Sequence, residues 1–349
     1  MNSSSSPPPN RYIRQSGFAP LGESGQKQIG AAKVVVCGCG ALGSVLANTL
    51  ARAGVGQLTI IDRDYLEWNN LQRQVLYTEA DVTSGIPKAV AAKNRLQAIN
   101  SEINIQAVVT HMSAENILEL VDGADCIVDG TDNFETRFLI NDAAVKSNTP
   151  WIYGGCIGSE GQTMTVIPGQ TPCLHCLMQS GPPPPGTTAT CDSSGILGSV
   201  INVIASIQAL EAMKIISGNA EQISPYLHVF DLWDNRARQV KLDSLNTENN
   251  CPTCNRHEFK WLTGKQGSST AVLCGRNAVQ LDFKQEHVIS LPQLADKLQP
   301  VANVKSNAFL LQAVVEQYQI TVFPDGRAII KGTEDESVAR GIYAKYIGN

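Results

Sequence analysis

The sequence lacks a strong charge of either sign, and it has no long apolar run free of polar residues. Its 349 residues carry a formal net charge of -5, with 43% hydrophobic and 17% charged residues, which is ordinary for a globular chain. So mild a charge gives no reason to expect nucleic acid or an anionic membrane as the main partner. The most apolar stretch, residues 195–216, is interrupted by Asn202, Gln208, Glu211 and Lys214, so it predicts a buried helix rather than a membrane span.

A basic segment leading into an apolar core, as in a signal peptide, is also missing. The start, MNSSSSPPPN, predicts a disordered tail over residues 1–10. Nothing else points to secretion, and we expect a cytoplasmic protein whose length allows about two domains. In such a protein, close pairs among the ten cysteines are more often metal ligands than disulfides.

Apolar segments alternate with helical segments over residues 33–153. Continuous apolar strands separated by helices predict an α/β fold with a mostly parallel, Rossmann-like sheet and helices on both faces. Residues 161–168 (GQTMTVIP) alternate polar and apolar side chains, which predicts an antiparallel extension of the sheet. The proline-rich segment 181–190 predicts an exposed loop. The predicted strands of the parallel part are 33–37, 58–62, 126–129 and 151–153.

The chain changes character after residue 250. The polar segment 243–250 (DSLNTENN) predicts a boundary, so we expect one domain over residues 11–256 and a separate small α+β module of unknown role over 267–349. In that module, residues 320–331 predict a strand, a Pro-Asp-Gly turn and a second strand. The last helix is predicted to begin at a capping box of Thr333 with Glu336 and to carry apolar positions at Val338, Ile342 and Tyr346.

A glycine-rich turn follows the first predicted strand and opens a helix. Gly38, Gly40 and Gly43 fit the pattern G-x-G-x-x-G, which lets phosphate approach backbone N–H groups at a helix N-terminus. Asp62 ends the next predicted strand, where an acid can bind ribose hydroxyls. Alone, this motif indicates a nucleotide, with NAD a more frequent partner than ATP, and a purely structural turn remains the other interpretation.

Polar side chains crowd the ends of the predicted strands, and these groups can converge because the carboxyl ends of neighbouring parallel strands face one crevice. Phosphoryl or nucleotidyl transfer needs cations on the phosphates and a carboxylate for Mg²⁺, whereas hydride transfer needs no such set. The plainer interpretation is a solvated surface charge for Arg73 and Lys88, and a helix N-cap for Asp132. The candidates that follow the strands are Asp64, Asn69, Asn70, Arg73, Gln74, Lys88, Asp132 and Asn133.

Several stretches of the chain recur together in one known family. They are RYIRQ at 11–15, GCGALGS at 38–44, AGVGQLTIIDRDYLEWNNLQRQ at 53–74, GIPKAVAA at 85–92, DGTDNFETRFLIN at 129–141, GSEGQ at 158–162, CLHC at 173–176 and CPTC at 251–254. By these stretches the chain resembles the ThiF/MoeB/HesA family of adenylyltransferases, relatives of ubiquitin-activating enzymes. The resemblance implies ATP as the nucleotide, an acyl-adenylate on the terminal glycine of a small ubiquitin-like sulfur-carrier protein, and a homodimer.

The resemblance also implies roles for the matching residues. Arg14 is given to the site of the partner subunit, although without the resemblance it would be taken for a surface arginine. The implied mechanism is in-line attack of the carrier carboxylate on the α-phosphorus, with cations offsetting charge as Mg-pyrophosphate leaves. The resemblance assigns Gly40 to the phosphate loop, Asp62 to the ribose, Asn70, Arg73 and Lys88 to the phosphates, and Asp132 with Asn133 to the Mg²⁺ side.

Two C-x-x-C pairs, far apart along the chain, predict one metal site. Cys173 with Cys176 and Cys251 with Cys254 match a tetrahedral Cys₄ zinc site, closed and therefore structural. Such a site would join a mid-chain loop to the end of the larger domain. Reduced buried cysteines or a redox C-x-x-C are the alternatives, and His175, between two ligands, is expected to face solvent.

Cys191 follows the proline-rich loop and precedes a predicted helix near Ser194. A helix N-terminus lowers the pKa of a thiol, and a loop gives access to it. The resemblance implies a cysteine here that can take the activated carrier as a thioester or acyl disulfide, and a dispensable thiol is the other interpretation. The remaining cysteines are predicted to be small core residues: Cys37, Cys39, Cys126, Cys156 and Cys274.

Three other functions compete with carrier adenylation. An NAD-dependent oxidoreductase would use the glycine loop but leaves Arg73, Lys88 and Asp132 unexplained. A non-catalytic scaffold would have no need of those charges, and a tRNA-modifying relative of the same fold need not carry the cysteine pairs. The sequence does not distinguish the molybdopterin from the thiamine pathway, and the sulfur donor is expected to be a separate protein.

Overall fold

Two β-sheets organise the protein. The computed structural model describes residues 10–183, 194–242, 245, 250–264, 270–273, 277–281 and 289–348. The helices are α1 (Ile13–Ser16), α2 (Gly22–Ala31), α3 (Ala41–Ala53), α4 (Glu79–Ser84), α5 (Lys88–Ile99), α6 (Ile117–Leu120), α7 (Phe134–Ser147), α8 (Leu174–Leu177), α9 (Gly198–Ile216), α10 (Leu291–Leu298) and α11 (Glu336–Tyr346). The strands are β1 (Lys33–Cys37), β2 (Gln57–Ile61), β3 (Asn104–Val108), β4 (Cys126–Asp129), β5 (Trp151–Ile157), β6 (Glu160–Val166), β7 (Tyr226–Asp231), β8 (Arg236–Lys241), β9 (Thr270–Leu273), β10 (Ala278–Leu281), β11 (Asn303–Ser306), β12 (Leu311–Val315), β13 (Tyr318–Val322) and β14 (Ala328–Lys331).

The first sheet has eight strands in the order β3-β2-β1-β4-β5-β6-β7-β8. The pairs from β3 to β5 are parallel, with Val34 opposite Leu58 and Cys126, and the pairs from β5 to β8 are antiparallel. The predicted parallel sheet with an antiparallel extension is therefore confirmed. The edge strands β3 and β8, and β7 beside β8, escape prediction because their side chains are largely or partly exposed and give no continuous apolar pattern.

Helices cover both faces of this sheet, as predicted. One apolar core lies under α2, α3, α5 and α9, and a second lies under α6, α7 and α8 on the opposite face. Central strands such as β1 and β4 are buried on both faces, which explains why they are apolar without interruption. The two cores fix the strand ends from which the candidate site is built.

Helix α9 corresponds to the most apolar stretch of the sequence. Within the described residues it is the one helix long and apolar enough to cross a membrane by length and composition. In the structure it packs on α3 and on strands β4 to β6. Gln208 in its middle is fully buried and donates hydrogen bonds to the carbonyl oxygens of Asp129 and Ile152, at 2.9 and 3.2 Å. The helix is thus the buried core element that the sequence predicts.

The second sheet belongs to the C-terminal part of the chain and is antiparallel in the order β11-β12-β13-β14-β10-β9. Helices α10 and α11 cover one face and enclose a small apolar core. This sheet with its helices, residues 270–348, is called the C-terminal module below. The predicted α+β composition and the strands around the Pro-Asp-Gly turn are confirmed, while β9, β10, β11, β12 and α10 were not predicted.

The predicted start of the last helix is wrong. Asp335 is the N-cap of α11, because its side chain accepts hydrogen bonds from the N–H groups of Ser337 and Val338. Thr333 instead accepts a hydrogen bond from the N–H of Asp335 at 3.0 Å. The shifted start turns Val338 outward, where it is 39% exposed, and the helix faces the core with Ala339, Ile342 and Tyr343.

Candidate functional site

The glycine turn after β1 is packed so tightly that no side chain fits on its inner side. A Cβ atom on Gly43 would lie 1.9 Å from the carbonyl oxygen of Gly38, and one on Gly130, after β4, would lie 2.5 Å from the same oxygen. Gly38 also has a positive φ of 83°. Gly40, the N-cap of α3, faces an open side, where the nearest atom to a Cβ would be Nε2 of Gln74 at 3.9 Å. The N-terminus of α3 therefore opens onto space suited to an anion.

Asp62, directly after β2, holds this turn in place. It is 8% exposed, and its Oδ2 accepts a hydrogen bond from the N–H of Cys39 at 2.7 Å. Its Oδ1 accepts one from the N–H of Asp64 at 2.7 Å. Burial raises the pKa of Asp62, and the nearby ammonium of Lys88 opposes that rise. Asp62 is nearly buried and accepts two hydrogen bonds from backbone N–H groups, so it fixes the conformation of the turn. Its carboxylate can also accept a hydrogen bond from a ligand.

Lys88 is the first residue of α5 and is 4% exposed. Its Nζ lies 3.3 Å from Oδ2 of Asp64, and its N–H donates to the carbonyl oxygen of Asp64 at 2.9 Å. Tyr77, which the sequence did not single out, lies over the junction: its hydroxyl is 2.7 Å from the carbonyl oxygen of Cys39 and 3.3 Å from that of Lys88. The buried ammonium is therefore pinned beside the glycine turn and is not a solvated surface charge.

A 3₁₀ turn, Trp68–Asn70, carries the next candidates. Asn70 is buried, its Oδ1 accepts a hydrogen bond from the N–H of Glu67 at 3.1 Å, and its Nδ2 donates to Oδ1 of Asn69 at 3.0 Å. Arg73 donates from Nη1 to the carbonyl oxygen of Asn69 at 2.7 Å. The buried Oε1 of Gln74 finds no hydrogen-bond partner among the described residues. Nε2 of the same side chain is the atom nearest the open side of Gly40, so the amide of Gln74 lies beside the glycine turn.

Asp132 and Asn133 follow β4 and stand at the start of α7. Asn133, not Asp132, is the N-cap, because its Oδ1 accepts a hydrogen bond from the N–H of Thr136 at 2.8 Å. Asp132 is exposed, and Nδ2 of Asn133 lies 3.5 Å from its Oδ1. The capping interpretation for Asp132 is therefore wrong, and its carboxylate is placed where it could take a hydrated Mg²⁺.

A buried ion pair that the sequence did not predict, between Asp129 and Arg137, stabilises the loop between β4 and α7. Asp129 is fully buried and accepts hydrogen bonds from the N–H and the hydroxyl of Thr131, at 2.8 and 2.7 Å. Nε of Arg137 lies 3.3 Å from Asp129, and its guanidinium lies over the rings of Phe134 and Tyr153. In the sequence, the only indication of this ion pair is the position of Asp129 at the end of a predicted strand. The pair fixes the backbone from β4 into α7.

The structure thus brings together the glycine turn and the polar residues after β2 and β4, but it does not bring Arg14 to them. The neighbouring Gln15 donates from Nε2 to the carbonyl oxygen of Ala53, the last residue of α3, at 2.9 Å. Because α3 has 13 residues, its two ends are separated by about 20 Å. Arg14 is exposed at the end remote from Gly40. Cys191 lies outside the described residues.

The two C-x-x-C pairs meet at one point. Sulfur atoms are 3.9 Å apart for Cys173 and Cys176, 3.7 Å for Cys173 and Cys251, and 3.4 Å for Cys176 and Cys254. A tetrahedral zinc with Zn–S bonds of about 2.3 Å places its sulfurs about 3.8 Å apart. Four thiols with this spacing fit structural Zn²⁺, and all four ligand atoms lie within 4.8 Å of one another.

Helix α7 connects the cysteine cluster to the candidate site. Asn141 accepts a hydrogen bond from the N–H of Leu174 at 2.9 Å. Asp142 accepts one from the hydroxyl of Thr253 at 3.0 Å and one from the N–H of Trp261 at 2.9 Å. Both cysteine loops are therefore fastened to the helix that begins with the Asp132 loop. His175 does not simply face solvent as predicted, because its Nδ1 lies 3.1 Å from the hydroxyl of Thr253.

The cysteines outside the cluster behave mostly as core residues. Cys37, Cys39 and Cys126 are fully buried, and Cys156 is half-buried. Burial raises the pKa of the Cys39 thiol to about 12, so it stays protonated beside the glycine turn. Cys274 lies outside the described residues.

We expect Cys251→Ser to release the metal and to lower the thermal midpoint by about 10 °C or more, because metal affinity at such a site is folding free energy. Metal content and melting curves measure both effects. Cys156→Ser, which changes a half-buried thiol outside the cluster, is the control and should keep the metal. Freshly purified wild-type protein without zinc would contradict the assignment.

The fold and the site together define a nucleotide-binding α/β protein with a phosphate-type glycine turn, a buried lysine beside it and a Cys₄ cluster. The chain belongs to the ThiF family, whose model matches residues 12–253. It is an adenylyltransferase of that family, as the relatives below indicate.

Two curated relatives and one group of solved structures illustrate the match. The sulfur carrier protein ThiS adenylyltransferase of Bacillus subtilis is 46% identical over 339 residues, covering 97% of this chain and 99% of the relative. The sulfur carrier protein adenylyltransferase of Thermus thermophilus is 36% identical over 250 residues, covering 70% and 90%. A crystal structure of E. coli MccB superposes with a TM-score of 0.58 at 27% identity, covering 67% of this chain and 72% of MccB. The match to the Bacillus relative extends through the C-terminal module.

Proposed function

We propose that the enzyme uses ATP to adenylylate the C-terminal glycine carboxylate of a small ubiquitin-like sulfur-carrier protein, forming an acyl-adenylate and pyrophosphate. The observation that carries the proposal is the buried Lys88 beside an open glycine turn, with an exposed carboxylate, Asp132, after β4. Hydride transfer has no use for that combination, and family membership sets the oxidoreductase alternative aside. Both curated relatives described above are named as adenylyltransferases of sulfur carriers.

In this proposal the chain's own groups bind and polarise ATP. The N-terminus of α3 takes the phosphates, while Asp62 and the amide Nε2 of Gln74 lie beside the glycine turn that receives the nucleotide. Lys88 and Arg73 offset the charge that develops on the phosphates, and Asp132 with Asn133 would hold the Mg²⁺ that accompanies ATP. Asn70 contacts the phosphates with these cations, and the remaining polar candidates, Asp64 and Asn69, hold these groups in position.

The chemical step is a substitution at phosphorus. A carboxylate oxygen of the carrier attacks the α-phosphorus in line, a new P–O bond forms, and the bond to the β-phosphate breaks as Mg-pyrophosphate leaves. This step requires no proton transfer to or from a group of the enzyme, because the nucleophile is already an ionised carboxylate. The cations act by stabilising negative charge that is greater in the transition state than in bound ATP.

We also propose a homodimer in which Arg14 serves the partner subunit's site. The distance of about 20 Å along α3 supports this, since Arg14 is remote from its own glycine turn. Ile13 and Phe18 on the same lead-in are 62% and 64% exposed, as contact residues of a dimer would be before assembly. Cys191 is proposed as the thiol that takes the activated carrier, and the reduced cysteine cluster suits a cytoplasmic enzyme with a separate sulfur donor.

Pyrophosphate exchange into ATP tests the proposed substrate. We expect exchange only in the presence of a carrier that ends in Gly-Gly, because the glycine carboxylate is the nucleophile. The same carrier without its last glycine is the matched control, since it keeps its fold and loses the reacting position. A ThiS-type carrier and a molybdopterin-type carrier, tested side by side, assign the pathway. Equal exchange with the truncated carrier would refute the proposal.

A further inference from the structure

We infer that the C-terminal module positions the ATP-binding loops through Lys331 and Asn307. The inference rests on the proposed function, because it takes Asn70 and Lys88, which stand a few residues from the contacted positions, as ATP ligands. The module has its own core on the face covered by α10 and α11. Its other face contacts the loops that follow β2, and these contacts fall on the two segments that carry the phosphate ligands.

The first contact is an ion pair between the C-terminal module and the loop that follows β2. Nζ of Lys331, at the end of β14, pairs with Oε1 of Glu67, and both side chains are mostly buried. Lys331 also lies over the ring of Tyr65, 5.8 Å from its centroid. Glu67 is the N-cap of the 3₁₀ turn Trp68–Asn70 and forms a reciprocal capping box with Asn70. The residue whose carboxylate receives Lys331 is thus the one whose backbone N–H donates to Oδ1 of Asn70, at 3.1 Å, and whose carbonyl oxygen accepts from the N–H of Asn70, at 3.0 Å.

The second contact reaches the loop before Lys88. Nδ2 of Asn307 donates to the carbonyl oxygens of Ser84 and Gly85, at 3.2 and 3.1 Å. Its Oδ1 accepts hydrogen bonds from the N–H groups of Phe309 and Leu310, at 2.8 and 3.0 Å, so the backbone of the C-terminal module fixes the orientation of the amide. Gly85 has a φ of 62° and ends α4 just before α5 begins. Asn307 therefore fixes the turn that delivers Lys88.

An apolar patch lies between the two polar contacts. Tyr65 packs there with Ala278, Leu310, Phe323 and Ile329 of the module, and all five side chains are buried. Tyr65 also forms a backbone bridge with Pro87, next to Lys88. Exclusion of water by this patch strengthens the neighbouring ion pair. The patch and the two polar contacts together attach the segments 65–70 and 84–88 to the C-terminal module.

These loops need such support, because neither of the segments 65–70 and 84–88 pairs with a strand of the sheets, and the bridge between Tyr65 and Pro87 joins the two segments only to each other. Each segment ends on a residue of the proposed ATP site, so the positions of the segments decide where Asn70 and Lys88 meet the nucleotide. A displacement of about 1 Å in a positioning group is enough to weaken a preorganised site severely.

Direct measurement of ATP affinity tests the inference without the carrier. Titration calorimetry of the full chain with ATP and Mg²⁺ should give a dissociation constant about fivefold or more higher for Lys331→Met and for Asn307→Ala. Lys331→Arg should retain most of the affinity, because it keeps the charge opposite Glu67. Combining Lys331→Met with Glu67→Gln should add little to either single change, since both remove one interaction.

The control is Lys345→Met, which breaks the ion pair with Glu316 inside the same module and should leave ATP affinity unchanged. Melting curves identify variants that fail to fold. Unchanged affinity in folded Lys331→Met and Asn307→Ala would overturn the inference. A change confined to the carrier's KM would also overturn it, in favour of a docking surface. Wild-type protein that binds ATP but shows no carrier-dependent exchange would refute the proposed function and not the positioning role.

Discussion

Lys88→Met will lower the rate of carrier-dependent pyrophosphate exchange by about 10²–10³-fold, because it removes a buried, preorganised charge beside the glycine turn. Methionine keeps most of the length and the apolar stem of lysine, so the change isolates the ammonium group. That group is buried, 3.3 Å from Asp64, and opposes the raised pKa of Asp62. The rate constant for exchange at saturating ATP and carrier measures the effect.

A matched control exists on the same helix. Lys93→Met changes a lysine five positions further along α5 that lies outside the candidate site, and it should keep the exchange rate within about twofold of wild type. Metal content and melting curves of both variants should match wild type. Near wild-type exchange by folded Lys88→Met would show that the buried ammonium does not act on the phosphates.

Much of the fold follows from local patterns in the sequence. Strands β1 and β4 are buried on both faces, and such strands are apolar without interruption, so they can be recognised one by one. Strand β8 is exposed along its whole length and has no pattern to recognise. The helix caps were harder, since several oxygen-bearing side chains stand near each start. At α7 and α11 the residue that caps is decided by backbone geometry, which selects Asn133 and Asp335.

The candidate site was predictable where a residue type is tied to a function by its spacing. The cysteine pairs and the glycine turn are of this kind, and the structure brings each set together. Tyr77 could not be found this way, because a tyrosine that bonds two carbonyl oxygens resembles any core aromatic in sequence. The contact of Lys331 with Glu67 joins positions far apart along the chain, and only the fold reveals it.

Mixing two inactive variants will restore activity if catalysis is shared between subunits. Arg14→Ala alone should lose about 10³-fold in rate, as expected for an arginine that stabilises charge in phosphoryl transfer from outside the chain. In a heterodimer of Arg14→Ala with Lys88→Met, one site receives an intact Lys88 from one chain and an intact Arg14 from the other. Random exchange makes half of the dimers mixed, so about one quarter of the wild-type rate should return.

A reciprocal mixture makes the experiment decisive. The double variant Arg14→Ala, Lys88→Met, mixed equally with wild type, spoils both sites of every heterodimer if Arg14 acts across the dimer, and about one quarter of the rate remains. If Arg14 acts within its own chain, each wild-type chain stays active and about one half remains. The two models therefore differ in both mixtures and in opposite directions. Activity near zero in the first mixture with one half in the second would exclude a shared site, and the remote position of Arg14 at the far end of α3 would then need a different explanation.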